Sequence, residues 1–192
     1  MYISVSKMTV WLLFLFSHTT DAATTDLPWK NIMYQEMQNI TSVIGVSDTN
    51  YFVYEGTFGE DVLTEQRVFC LVMKMSDYYD FTMAYRKYKI SGSTRQVSFA
   101  LSLWPEADSG YDVSNYMRVE DEEELKEIAK MHLVYTDYTI CALFYYDDTG
   151  YYELWLYKEP DDISTACELL LALLSDKPRN VYYTKDCKQR LL

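Results

Sequence analysis

Between residues 51 and 158 the chain consists of short runs rich in Tyr, Phe and Val, interrupted by polar turn signals roughly every ten residues. No other feature constrains its fold as strongly. The runs predict strands over 51–58, 67–75, 81–90, 95–103, 116–119, 131–136, 140–146 and 151–158. Ser91-Gly92-Ser93 and Asp147-Asp148-Thr149-Gly150 read as hairpin turns. The acidic stretch 121–130 reads as a solvated loop with a helical turn. Eight antiparallel strands of this length close a barrel just wide enough for one small ligand.

Helical patterns flank the strands, which makes the fold class all-β with flanking helices. Over 29–44, Ile32, Met33, Met37, Ile40 and Ile44 fall near helical spacing, a face suited to lie across a barrel end. Asp26 is the expected N-cap, with Pro28 in the first turn. Beyond Pro160, the residues Ile163, Ala166, Leu169, Leu170 and Leu173 repeat at three and four. This second helix, capped by Asp161, Asp162 or Ser164 and ended by Pro178, should pack on the barrel wall with Cys167 in it.

The first 22 residues have the form of an export signal: Lys7, a short apolar run from Met8 to Phe16, then small residues before a cleavage expected at Ala23. The apolar run is far shorter than the roughly 20 residues a membrane-spanning helix needs. The remaining chain, residues 23–192, is expected to be one secreted, extracellular domain. A net charge of −12 disfavours nucleic acid and anionic membrane as partners, because phosphate contacts require clustered Lys and Arg. Cys70, Cys141, Cys167 and Cys187 in an exported chain read as two disulfides, and three pairings are open. They include no CxxC pair, and His132 is the sole histidine outside the signal, which also contains His18. Metal centres and Ser-His-Asp catalysis therefore lack material, no cofactor is expected, and His132 reads as a barrel-wall or surface residue. Asn39-Ile40-Thr41 is a glycosylation sequon within the first predicted helix.

Cys141, then Glu153-Leu154-Trp155, then Cys167 form a constellation that resembles the tick salivary lipocalins of the histamine-binding protein family. The resemblance extends to the Tyr51-Phe52-Val53 strand, the Cys70 strand and the tail from Val181 to Cys187. It implies an eight-stranded lipocalin barrel, the pairings Cys70–Cys187 and Cys141–Cys167, and a ligand held inside. In that family acids placed like Glu153 hold histamine or serotonin, and Asp61 matches a second acidic position.

Strand alternation then suggests the lining. With Cys141 outward, Ala142, Phe144 and Tyr146 face in; with Glu153 inward, Tyr151, Trp155 and Tyr157 share its side. Phe52, Tyr54 and Phe58 are expected on one face of the first strand. Glu153, Trp155, Asp61, Phe58, Phe144 and Tyr146 are thus the candidate ligand-binding residues. A protonated amine against Glu153 gains roughly 4 kcal/mol at an effective dielectric of 20, and the Trp155 and Phe144 faces add about 0.5–2 kcal/mol.

Departures from the family pattern weaken the amine reading. Ala142 stands where an acid follows the first Cys, Thr64 where an aromatic is expected, and Met117 and Val119 at middle-strand aromatic positions. A non-catalytic scavenger must bind at about 10 nM, or about −11 kcal/mol. Histamine offers only about eight heavy atoms at about −1.5 kcal/mol each at best, so its site must be nearly ideal. A leukotriene, fatty acid or sterol tolerates an imperfect site, because buried area drives its binding. The resemblance therefore implies a secreted salivary protein that sequesters a host mediator; a monomer is the default, and an enzyme is not expected because no sequence motif supports pairing Glu153 with Asp61 for two-carboxylate glycosidase chemistry. An amine is the family default, a lipid the alternative within the same class. A different class is an immunomodulator that binds a host immune protein through its tyrosine-rich outer surface.

Overall fold

A computed structural model describes residues 27–90, 92–93, 95–161 and 164–187. The export signal, its cleavage point and the Asp26 cap lie outside the described residues. Residues 27–30 form a turn closed by the Lys30 N–H on the Leu27 carbonyl at 2.8 Å, and a second compact unit begins at Asn31.

That unit is a closed antiparallel barrel. Its strands are β1 (Asn50–Gly56), β2 (Val68–Asp77), β3 (Thr82–Ile90), β4 (Gln96–Glu106), β5 (Tyr116–Asp121), β6 (Lys126–Thr136), β7 (Cys141–Tyr146) and β8 (Tyr151–Leu156). Each pairs with the next, and β1 closes the ring by pairing with both β2 and β8. A two-residue strand from the tail, β9 (Asn180–Val181), adds to β1. Two helical turns precede the barrel, the 3-10 turn Ile32–Met37 and α1 (Thr41–Ile44), and α2 (Ala166–Leu174) follows it. Among the described residues no helix is long and apolar enough to cross a membrane.

The alternation of side chains builds one core inside the ring. Tyr51 and Val53, Leu71, Met73 and Met75, Leu101 and Leu103, Met117 and Val119, and Met131 and Leu133 are all buried there. One end is plugged by Ile40, Val43 and Ile44 from the helical segment, the other by Phe58 and Leu63 from the β1–β2 loop together with Tyr182. Outside the wall, Phe52, Phe69, Val72 and Tyr183 surround the disulfide Cys70–Cys187, which ties the tail to β2. Cys141–Cys167 ties α2 to β7.

Five sequence expectations need correction. The helix expected over 29–44 is broken: Ile32, Met33 and Met37 are exposed, and only Ile40, Val43 and Ile44 reach the core. Gln38 and Asn39 interrupt it, the first donating its amide to the Val134 carbonyl at 3.0 Å, the second its backbone N–H to the Tyr138 hydroxyl at 3.0 Å. The acidic stretch 121–130 is mostly strand. Asp121 folds the chain back by accepting the Glu123 and Glu124 N–H groups at 2.8 and 3.3 Å, and Leu125 takes a left-handed φ of 52°. In α2 the cap is Thr165, in a reciprocal capping box with Glu168. The buried face of α2 is Cys167 and Leu171, with Leu169 and Leu173 exposed, because the disulfide fixes the helix phase. Finally, Phe52 and Tyr54 do not share a face with Phe58. The β1–β8 register shifts between Val53 and Glu55, so Tyr51, Val53 and Phe58 point inward.

Candidate ligand site in the barrel

Glu153 sits near the start of β8 and Tyr146 at the end of β7, so both lie beneath the loop that follows β1. Asp61 belongs to that loop. Its backbone bridges to Gln66, Glu65 turns the chain at a left-handed φ of 53°, and the Asp61 carboxylate accepts the Thr64 hydroxyl at 2.8 Å. This folds the carboxylate down into the barrel, where Asp61 is 1% exposed and Glu153 0%.

Between the two acids lies Arg86 of β3, also 0% exposed. Asp61 takes one edge of the guanidinium, with Nε on Oδ2 at 2.9 Å and Nη2 on Oδ1 at 2.6 Å. Glu153 takes the adjoining edge, with Nη1 on Oε1 at 2.9 Å and Nη2 on Oε2 at 2.8 Å. The remaining Nη1 direction meets Met73 Sδ at 3.5 Å. Every N–H of the guanidinium is thereby engaged.

Glu153 is equally occupied. Besides Arg86, its Oε2 accepts the Tyr146 hydroxyl at 2.8 Å and its Oε1 the Trp155 indole N–H at 2.5 Å. Burial alone would pull the Arg86 guanidinium down, but Asp61 and Glu153 outweigh it and hold it well above its ordinary range. Burial, reinforced by Glu153, pushes the Tyr146 phenol well up, so it stays a hydrogen-bond donor. The aromatic neighbours close around this network: Phe144 lies 4.3 Å from Trp155 between ring centroids, and Phe58 6.2 Å from Tyr146.

The six residues singled out from sequence therefore meet inside one barrel end. The residue that joins them, Arg86, was not among them. A signal existed: in Thr82 to Ile90 one face carries Lys87 and Lys89, and the other only Arg86 among Thr82, Ala84 and Tyr88. The face with two lysines belongs in water, which turns Arg86 inward toward two predicted acids. His132 lies on the outer wall, wholly buried, with Nδ1 2.8 Å from Asp147 and Nε2 2.9 Å from Asp108. Three described clefts, of about 400, 370 and 310 Å³, lie outside the barrel, and none is lined by Asp61, Arg86 or Glu153.

A profile described as tick histamine binding protein matches residues 30–189. The chain belongs to that family. No curated protein sequence matches it. Among solved structures, this family member is similar to AM182 in its serotonin complex, at 13% identity and a TM-score of 0.51 over 81% of this chain and 91% of that one. It is similar to apocrustacyanin C1 at 11% identity and a TM-score of 0.55, over 86% of this chain and 93% of that one. The cockroach allergen Per a 4 gives 12% and 0.53 over 78% and 91%. At such identities these likenesses establish the lipocalin fold. Met117, Val119 and Ala142, three of the four positions expected to depart from the amine-binding pattern, line the barrel interior.

Proposed function

We propose that this family member is a secreted, non-catalytic carrier that sequesters a small, uncharged and largely apolar host molecule inside its barrel. Family membership supports a barrel ligand. The observation that carries the choice of ligand is the clasp of Asp61 and Glu153 on Arg86. A biogenic amine would need a carboxylate, and both carboxylates here already hold a cation. A fatty acid or leukotriene carboxylate would bring a third negative charge to two acids sharing one guanidinium. An uncharged lipid such as a sterol meets neither obstacle, and below the network it faces Leu, Met, Val and Ala side chains. Its burial contributes about 25 cal/mol per Å² without any ionic partner.

A second reading rests on the outer surface. The described clefts lie outside the barrel, and Tyr78 and Tyr79 are exposed beside the stacked Phe81 and Trp104. On this reading a host immune protein is the target.

Titration of tryptophan fluorescence with cholesterol, arachidonate, histamine and serotonin tests the proposal. Saturable binding of cholesterol, with no response to either amine, is the expected result. Tight histamine binding that Glu153→Gln abolishes would overturn it in favour of the amine. Silence toward every ligand, with capture of one host plasma protein, would move the activity to the outer wall.

A further inference from the structure

We infer that Arg86 is the specificity-determining residue of the barrel, a tethered cation occupying a receptor for planar guanidinium groups built by Asp61 and Glu153, and that it closes the site to free organic cations. The inference deepens the reading of the barrel interior as the ligand site and rests on it.

Geometry carries the argument. Two carboxylates each form a bidentate fork on adjoining edges of one guanidinium, with four N–O distances between 2.6 and 2.9 Å. Such double forks fit a planar donor array and not a point-like ammonium. Both acids are held in place by groups other than Arg86. Thr64 fixes Asp61, while Tyr146 and Trp155 fix Glu153. The receptor is therefore organised by its surroundings, which is what a binding site requires and a simple charge-neutralising pair does not.

The occupant is out of reach of competition. A free cation that displaces it must give up translational and rotational freedom that the tethered group does not lose on binding, and it would have to leave the buried guanidinium without its two carboxylates. The chain retains the acids of a cation site yet is blind to cations, and one side chain is responsible.

Truncation of Arg86 separates this from a merely structural ion pair. Arg86→Ala removes the tethered guest and leaves its space, while Arg86→Met fills the space without charge. Calorimetric titration with methylguanidinium and methylammonium is expected to show no binding to the wild type or to Arg86→Met. Arg86→Ala is expected to bind methylguanidinium at least tenfold more tightly than methylammonium, with a rise in its melting temperature on saturation. Adding Glu153→Gln to Arg86→Ala should remove that gain.

If Arg86→Ala does not fold alone, its refolding is followed by circular dichroism with methylguanidinium present. Recovery of the barrel by the guest supports the inference. A folded Arg86→Ala that ignores both cations, or prefers methylammonium, overturns it, as does failure of the guest to restore the fold while Arg86→Met folds. Cholesterol binding by the wild type is measured in parallel. Its absence would sink the carrier proposal without touching the cation result.

Discussion

Single side chains hold the two most consequential electrostatic contacts. Glu153→Gln leaves Arg86 with half its counter-charge in a fully buried site, and losing one partner of a buried ion pair costs about 3–5 kcal/mol. The urea midpoint should fall accordingly. Arg86→Met with Glu153→Gln should cost less than the two single changes summed, because each already breaks the same contact. Asp137 gives a milder case with a pH signature. Burial pushes its carboxyl up, but the N–H groups of Ile140, Thr139 and Cys141, at 2.7, 2.9 and 3.1 Å, together more than reverse this and leave it below its usual range. A depressed folded-state value means the contribution is complete above the unfolded value, about 3.9, and is lost as pH falls through the folded one. Asp137→Ala should therefore cost about 1.5–3 kcal/mol at neutral pH. Its gap from the wild type should close in denaturation curves taken below about pH 4. Glu153 was legible as an inward acid because it stands on an aromatic strand face, whereas Asp61, in the β1–β2 loop, stood out only through its match to a second acidic position of the family. The sequence did not reveal that they share a partner, because Arg86 lies 25 residues from one and 67 from the other, and only barrel closure brings them together.

At the scale of elements, the strands were legible because runs rich in Tyr, Phe and Val alternate with polar turn signals, but a bulge such as the one in β1 resets which face each residue takes. The flanking helices were not legible. Their apolar spacing fits several phases, and in α2 a covalent bond chose among them. Cys167 must face β7 to reach Cys141, so Leu171 follows it inward and Leu169 and Leu173 are left in water. The 26-residue separation of this bridge corresponds to about 3.5 kcal/mol of loop entropy in the chain model, and the 117-residue separation of Cys70–Cys187 to about 5 kcal/mol. Replacing Cys141 and Cys167 by Ala should lower stability by about 3.5 kcal/mol. It should also expose α2 to proteolysis first, because few other contacts fasten the helix. Thr165→Ala, which loses the capping box, should cost only about 1 kcal/mol. Limited proteolysis alongside thermal melts distinguishes the two. Equal protection of α2 in both variants would mean that packing, not the bridge, holds it.

The whole barrel is shut at both ends, so a guest reaches the interior only if one end opens, and the two ends are fastened differently. At the β1–β2 loop, Phe58 stacks on Tyr182 at 4.7 Å, the Tyr182 hydroxyl donates to the Phe58 carbonyl, and Asp61 grips Arg86. Opening there breaks a buried ion pair and drags a tail anchored by a disulfide. At the opposite end one helical turn is held by neutral hydrogen bonds. Thr82 donates its hydroxyl to the Ile44 carbonyl at 3.1 Å, Tyr51 donates to the Val43 carbonyl, and the Ile40 N–H reaches the Ser114 carbonyl at 2.7 Å. Each such bond contributes about 1 kcal/mol net, far less than the ion pair resists. The α1 end should therefore be the route of exchange. In stopped-flow mixing with cholesterol the observed rate should level off at high ligand, since opening precedes binding. Thr82→Val keeps the side-chain shape and removes one fastening, so the plateau should rise about fivefold. Phe58→Ala, at the end locked by Asp61 and Arg86, should leave the plateau where it was. The opposite ranking of the two variants would place the gate beneath the β1–β2 loop, and ligand passage would then require the Arg86 clasp to open on every turn.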